Sequence, residues 1–342
     1  MKASLLRAAA LTTALAAAVV AQAAPPQPTA QRVTAHVVVT EDGTTPVLDP
    51  AINLIVRSDG IFVPVVAVVP APPLSVVLVM DVTISMSEAM ASFVWDGRGR
   101  LDDVSPSGVK PADSPSALLL APVLRGWVRH VMPGDRVRVG RIARQPELGP
   151  DFTSDRRALE RAVRWALDVP RDERHSETPI WDALEVAIYS LEREAGRRRA
   201  IVLMTDGLST GNRLSLDRVI ERATRADVAV FVIAEAWKLR SPRGYASRPP
   251  WVLMSGAFER TPWSQLRRLA SSTGGVLVPD GNEAWPDPEK RLSTVMSLLR
   301  ASIAITFESP LLPGETGTLT IDAGDTRGRE AHVKQRYGVD VQ

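Results

Sequence analysis

Residues 76–88, VVLVMDVTISMSE, join an uninterrupted apolar run to one carboxylate and a string of hydroxyls. The run LSVVLVM (74–80) reads as a strand covered on both faces, because a half-exposed strand would alternate with polar residues. Asp81 ends it, and Thr83 and Ser85 follow at i+2 and i+4. In a loop leaving a strand, that spacing can aim one carboxylate and two hydroxyls at a common point. A hard cation wants such a set, with oxygen ligands, few charges, and waters filling the remaining positions. The same residues also suit a capped turn, in which Asp and Ser or Thr bond nearby backbone N–H groups.

Working outward, a second apolar run, AIVLMT (200–205), ends in the same way at Asp206. SETPIWDAL (176–184) puts Thr178 at a helix start, with Pro179 at the first helical position, where a Thr also serves as an ordinary N-cap. Further strands are expected at 136–142, 228–234 and 276–278. Helical spacing of apolar residues predicts helices at 155–167, 180–191, 215–226, 262–272 and 288–300. Strands alternating with helices in this way predict an α/β fold with a parallel sheet covered on both faces.

Both ends of the chain read differently. Val33, Ala35, Val37 and Val39 alternate with polar residues, as do Ile303, Ile305 and Phe307, and then Leu319, Ile321 and Ala323. Residues 61–80 carry no charge, but Pro64, Pro70, Pro72 and Pro73 would break a membrane-spanning helix there. Two buried strands joined by a Pro-rich linker are expected instead. The predicted organisation is a signal peptide (1–23), a leader and N-terminal β segment (24–72), an α/β domain (73–280) and a connecting helix (281–301). A C-terminal β segment (302–342) then packs with residues 33–70 as a small all-β module formed by the N- and C-terminal segments.

The chain has 342 residues and no cysteine, which excludes disulfides, thiolate metal sites, a Cys nucleophile and a lipid anchor on Cys. His36, His130, His175 and His332 lack metal-ligand spacing. Lys2 and Arg7, the apolar stretch 8–20 and Ala21-Gln22-Ala23 fit an export signal, so a periplasmic or secreted protein without a membrane span after cleavage is expected. Loss of those two cations leaves 39 basic against 39 acidic residues, which removes the main argument for nucleic acid as a partner. Arg156, Arg157, Arg161 and Arg164 read as an exposed helix face, and Arg197-Arg198-Arg199 as a solvated corner. Trp237, Tyr245, Trp251 and Trp263 read as packing for an insertion at 237–260.

Taken together, these segments resemble a von Willebrand factor type A (VWA) domain with its metal-ion-dependent adhesion site, written D-x-S-x-S…T…D. The resemblance covers roughly residues 74–280 and is supported by PGDRVRV, FTSDRRALERAV, TPIWDAL, the long stretch 198–234 and LRRLASSTGG. The flanks resemble an exported bacterial VWA-related family named for acidobacteria. The resemblance implies a Rossmann-like, doubly wound, mostly parallel sheet whose first and fourth strands are neighbours, with the site at their carboxyl ends. It implies a metal site of Asp81, Thr83, Ser85, Thr178 and Asp206 that holds Mg²⁺ or Mn²⁺, completed by an Asp or Glu carboxylate from a partner protein. Thr83 stands where Ser is usual and Ile84 where Gly is common.

The function implied is an exported, non-enzymatic binding protein that acts in adhesion or protein–protein interaction. The alternative is a metal-free scaffold with a degenerate site. A hydrolase of the haloacid dehalogenase type would need a second Asp two residues after the first, where this chain has Thr83. No P-loop or H-E-x-x-H occurs.

Overall fold

The apolar run ending at Asp81 lies inside a six-stranded sheet and is buried at every position. The computed structural model describes residues 31–40, 53–83, 86, 127–170, 177–234, 262–278, 288–324 and 330–339. Residues 1–23, read from the sequence as a signal peptide, Ile84, Ser85, and the stretches 96–116 and 237–260 lie outside the described residues.

In chain order the elements are β1 (Gln31–Val37), β2 (Asn53–Ser58), β3 (Ile61–Phe62), β4 (Val65–Pro70), β5 (Leu74–Asp81), β6 (Arg136–Ile142) and β7 (Pro146–Leu148). Then come α1 (Arg156–Leu167), α2 (Ile180–Leu191), β8 (Arg198–Thr205), α3 (Leu216–Arg225), β9 (Val228–Ala234), α4 (Pro262–Ser272) and β10 (Leu277–Val278). The chain continues through α5 (Pro288–Arg300), β11 (Ile303–Ser309), β12 (Thr316–Gly324) and β13 (Glu330–Gly338).

The central sheet has the order β10-β9-β8-β5-β6-β7. All its pairings are parallel except β6 with the short edge strand β7. Consecutive side chains of β5 point to opposite faces, and each face has its own core. Val76, Leu78 and Met80 pack with Leu159 and Val163 of α1 and with Leu292, Val295 and Met296 of α5. Val77 and Val79 pack with Leu184 and Ile188 of α2, Val219 and Ile220 of α3, and Leu266 and Leu269 of α4. The sheet is doubly wound, mostly parallel and Rossmann-like. Its first strand, β5, lies beside its fourth, β8, as the VWA resemblance implies.

Two antiparallel sheets flank this core. One has the order β1-β11-β4 and the other β13-β12-β2-β3, so each combines strands from both ends of the chain. They share an apolar interior of Ala35, Val37, Val56, Ile305, Phe307, Leu319, Ile321 and Tyr337. Phe307 meets Tyr337 edge to face at 5.1 Å between ring centroids. The buried Tyr337 hydroxyl lies 2.7 Å from Ser58 Oγ and 2.8 Å from Ser309 Oγ, which satisfies the polar tip that a buried Tyr must place.

Two expectations are corrected. Residues 61–69 are not a buried strand: β3 and β4 are exposed at every position. Both are edge strands, paired on one side only, so their apolar composition did not translate into burial. The Arg197–Arg199 stretch is not a solvated corner either. Arg198 is 1 % exposed at the start of β8. Arg197 donates to Ser75 Oγ at 2.7 Å and to the carbonyls of Leu74 and Gly134. The exposed positions of Arg156, Arg157, Arg161 and Arg164 on α1 agree with the sequence. Among the described residues no helix is long and apolar enough to cross a membrane.

Candidate metal centre

Parallel pairing puts the carboxyl ends of β5 and β8 side by side, with Met80 in register with Met204. Asp81 and Thr205 are therefore adjacent, and Asp206 begins the loop that leaves β8. This is the point where the strand order reverses, the crevice at which open α/β sheets bind ligands.

Asp81 is completely buried, and hydroxyls surround its carboxylate. Thr83 donates its hydroxyl to Asp81 Oδ1 at 2.6 Å and its backbone N–H to the same oxygen at 3.1 Å. Thr205 donates its hydroxyl to Asp81 Oδ2 at 2.8 Å. Thr178, arriving from the start of α2, donates to Thr83 Oγ1 at 3.3 Å. Four of the five residues named from the sequence, Asp81, Thr83, Thr178 and Asp206, are thus described, all of them buried. Hydrogen bonds link the first three, and the charge of Asp206 acts directly on Asp81. The fifth, Ser85, lies outside the described residues.

Thr178 differs from its expected role as a helix cap. Pro179, rather than Thr178, occupies the N-cap position of α2, and no side chain caps that end. The Thr178 hydroxyl is turned to the site instead. Its backbone is fixed by a reciprocal pair with Thr210: Thr178 N–H donates to Thr210 Oγ1 at 2.9 Å, and Thr210 N–H donates to the Thr178 carbonyl at 2.9 Å. Asn212 and Asp182 tie the same loop to α2 by accepting from the backbone N–H groups of Trp181, Arg213 and Leu214. Gly207 follows Asp206 with φ +82, a conformation glycine adopts without strain, and a Cβ there would meet Leu266 at 2.9 Å.

Burial, and secondarily the charge of Asp206, pushes the Asp81 carboxyl from its ordinary 3.8 up to about 7. The bonds from Thr83 and Thr205 pull the other way without cancelling this. Among the described residues, the charge that acts on this buried carboxylate is a second carboxylate and not a cation. The donors gathered around it are all oxygen, which suits a hard divalent ion rather than a soft one. The residues present therefore fit such an ion.

Sequence reasoning missed Thr205, which is completely buried and holds the second Asp81 oxygen while accepting from Gly207 N–H at 3.0 Å. Inside a strand run a Thr looks like one more β-former. The signal available was its register opposite the end of β5.

No family profile and no curated protein matches the chain. Among solved structures it is similar to an aerotolerance-related membrane protein from Bacteroides fragilis, with 16% identity, 66% of this chain and 98% of that one covered, and a TM-score of 0.43. It is also similar to a von Willebrand factor type A protein from Catenulispora acidiphila, with 13% identity, 85% and 74% covered, and a TM-score of 0.43. A third is proximal thread matrix protein 1 of the mussel byssus with a zinc-occupied MIDAS motif, at 12% identity, 68% and 49% covered, and a TM-score of 0.41. Identities this low transfer no residue role, and the fold assignment rests on this chain's own strand order and motif.

Proposed function

We propose that the chain is a VWA-type binding module that captures an Asp or Glu carboxylate of a partner protein through a divalent cation, Mg²⁺ or Mn²⁺. One observation carries the reading. Asp81 with Thr83, Thr178, and Asp206 come from three separate segments to the carboxyl ends of β5 and β8, around a carboxylate that no cationic side chain among the described residues compensates.

Thr83, Thr178 and Ser85 would offer hydroxyl oxygens, while Asp81 and Asp206 would supply charge and orient waters. When bound, the ion supplies a Lewis-acidic position for an incoming carboxylate. The protein's own part is to hold the hydroxyls in place, through Thr205 behind Asp81 and the Thr178–Thr210 backbone pair, and to keep few negative charges on the ion. Export by the N-terminal signal, with a periplasmic or secreted location, belongs to the same proposal.

A second reading, a metal-free scaffold, draws on the same hydrogen bonds, because the Thr83 hydroxyl already occupies Asp81 Oδ1 at 2.6 Å. Calorimetric titration of MgCl₂ and MnCl₂ into wild type and Asp81→Ala separates the two. Saturable heat in the wild type and none in a variant with unchanged circular dichroism is the expected result. Silence in folded wild-type protein establishes the scaffold reading instead.

A further inference from the structure

At the opposite ends of the parallel strands, where β8 and β9 begin, a cavity of about 310 Å³ lies between the α/β core and the flanking β sheets. Residues 31–36 line it without a gap. Alternate residues of a strand point to opposite faces, so a cavity touched by all of them runs along the edge of β1 and not over one face. Residues 335–339, at the end of β13, form the facing wall.

The phase of the hydrogen bonds fixes what that edge presents. Ala71 N–H donates to the Ser302 carbonyl at 3.1 Å, and Glu308 N–H to the Pro64 carbonyl at 3.2 Å. Antiparallel bonds alternate from side to side along a strand. β11 therefore bonds β4 through Ala304 and Thr306, and bonds β1 through Ile303, Ile305, Phe307 and Ser309. Their partners on β1 are Val37, Ala35, Val33 and Gln31. Arg32, Thr34 and His36 lie between those partners and turn their N–H and C=O groups away from β11. β1 ends its sheet, and of these six groups only the His36 carbonyl has a partner among the described residues, Gln335 Nε2 at 3.3 Å. The remaining backbone groups form an open pairing edge about 13 Å long.

The unspent charge beside this edge is positive. Arg225 pairs with Glu221 at 2.8 Å, and Arg336 donates to Thr316 Oγ1 at 2.8 Å. Asp227, the one carboxylate of the lining, is held by His36 Nδ1 at 2.6 Å. Arg32 and Arg199 also line the cavity, and neither makes a hydrogen bond or ion pair among the described residues. Both stand on the same side of β1. Arg32 shares its strand face with His36, which reaches Asp227 of the core, and Arg199 is in register with Val228, the next residue. On the other strand face, Val33 and Ala35 border the apolar interior of the two flanking sheets.

We infer that the free edge of β1 is a docking site for an extended acidic peptide of a partner protein, added as a further strand of the β1-β11-β4 sheet. The peptide backbone bonds the open groups of Arg32, Thr34 and His36, which gives affinity without regard to sequence. Its side chains supply the selectivity. Those opposite Arg32 share its face and meet Arg32 and Arg199, so they are Asp or Glu. Those on the other face continue the row of Val33 and Ala35 and are apolar. Alternating acidic and apolar residues satisfy both faces, whereas Lys in the acidic positions sets like charges against each other.

Fluorescence anisotropy of a labelled Glu-Val-Glu-Val-Glu amide, titrated with the full chain, tests this. Saturable binding is expected, at least about tenfold tighter than for Lys-Val-Lys-Val-Lys or for the acidic peptide methylated on every backbone nitrogen, which keeps its charge but cannot donate. Thr34→Pro removes one outward N–H and no bond to β11, a position where an edge strand tolerates proline, and should weaken binding about tenfold or more with circular dichroism unchanged. Arg32→Glu should weaken the acidic peptide and tighten the Lys peptide, and it serves should Thr34→Pro fail to fold. Excess EDTA should change nothing, which separates this edge from the metal centre. No saturation at about 1 mM chain, equal binding of the methylated peptide, or equal binding by wild type and both variants overturns the inference. So does a dimer in sedimentation that Thr34→Pro dissolves, which gives the edge to a second copy.

Discussion

Asp81 keeps a proton in the fold over a range where the unfolded chain has lost it, because burial and then Asp206 raise its carboxyl to about 7. Between about pH 4 and pH 7 the native state binds more protons than the unfolded one. In chelator, stability should therefore fall as pH rises through that window and level off above it. Asp81→Asn removes the penalty. It should be near neutral at pH 4 and stabilising by roughly 2–4 kcal/mol at pH 8, read from urea midpoints in EDTA. An equal effect at both pH values would show that the carboxyl is not raised. Asp227 carries the opposite sign, since its neighbours hold it below the usual range. Its contribution is present above the ordinary carboxylate value and fades as pH falls below about 4. Asp227→Asn should cost about 1–3 kcal/mol at pH 7, from the lost charge-assisted bond to His36 and the weaker compensation of buried Arg198. Thermal melts of the variant at pH 7 and pH 3 check this, and the difference from wild type should shrink at the lower pH.

At the scale of elements, legibility followed burial geometry. β5 and β8 were readable because both faces are covered, which forces a continuous apolar run ending in Asp81 and just before Asp206. β7 was not: three residues, PEL, pairing antiparallel at an edge, leave no periodicity to detect. β4 looked buried because composition records hydrophobicity and says nothing of neighbours, and its Val65, Val66, Val68 and Val69 are exposed. The candidate-site residues were legible by spacing at strand ends. An uncharged, exposed edge strand is a template for unwanted pairing. Val68→Lys, at a position 45 % exposed, should lower self-association in light scattering while changing stability by less than about 0.5 kcal/mol. A large loss of stability would mean that Val68 is buried in solution.

Across the whole molecule, the flanking β sheets are closed by strands that follow the six-stranded sheet in the sequence. β11 lies between β1 and β4 and pairs with both, and β12 pairs with β2. Thr34 reaches Thr306 across 272 positions of sequence. Such long-range pairings form slowly, because loop closure must precede any gain from contact. The six-stranded sheet, by contrast, has all its strands once β10 has been made. A chain that stopped before residue 302 would thus hold every strand of the sheet that carries the candidate site, yet leave β1, β2 and β4 without β11 or β12. Early termination would yield a product with an assembled candidate site, β1 and β4 unpaired and β2 paired only with the two-residue β3, a natural target for proteolytic quality control.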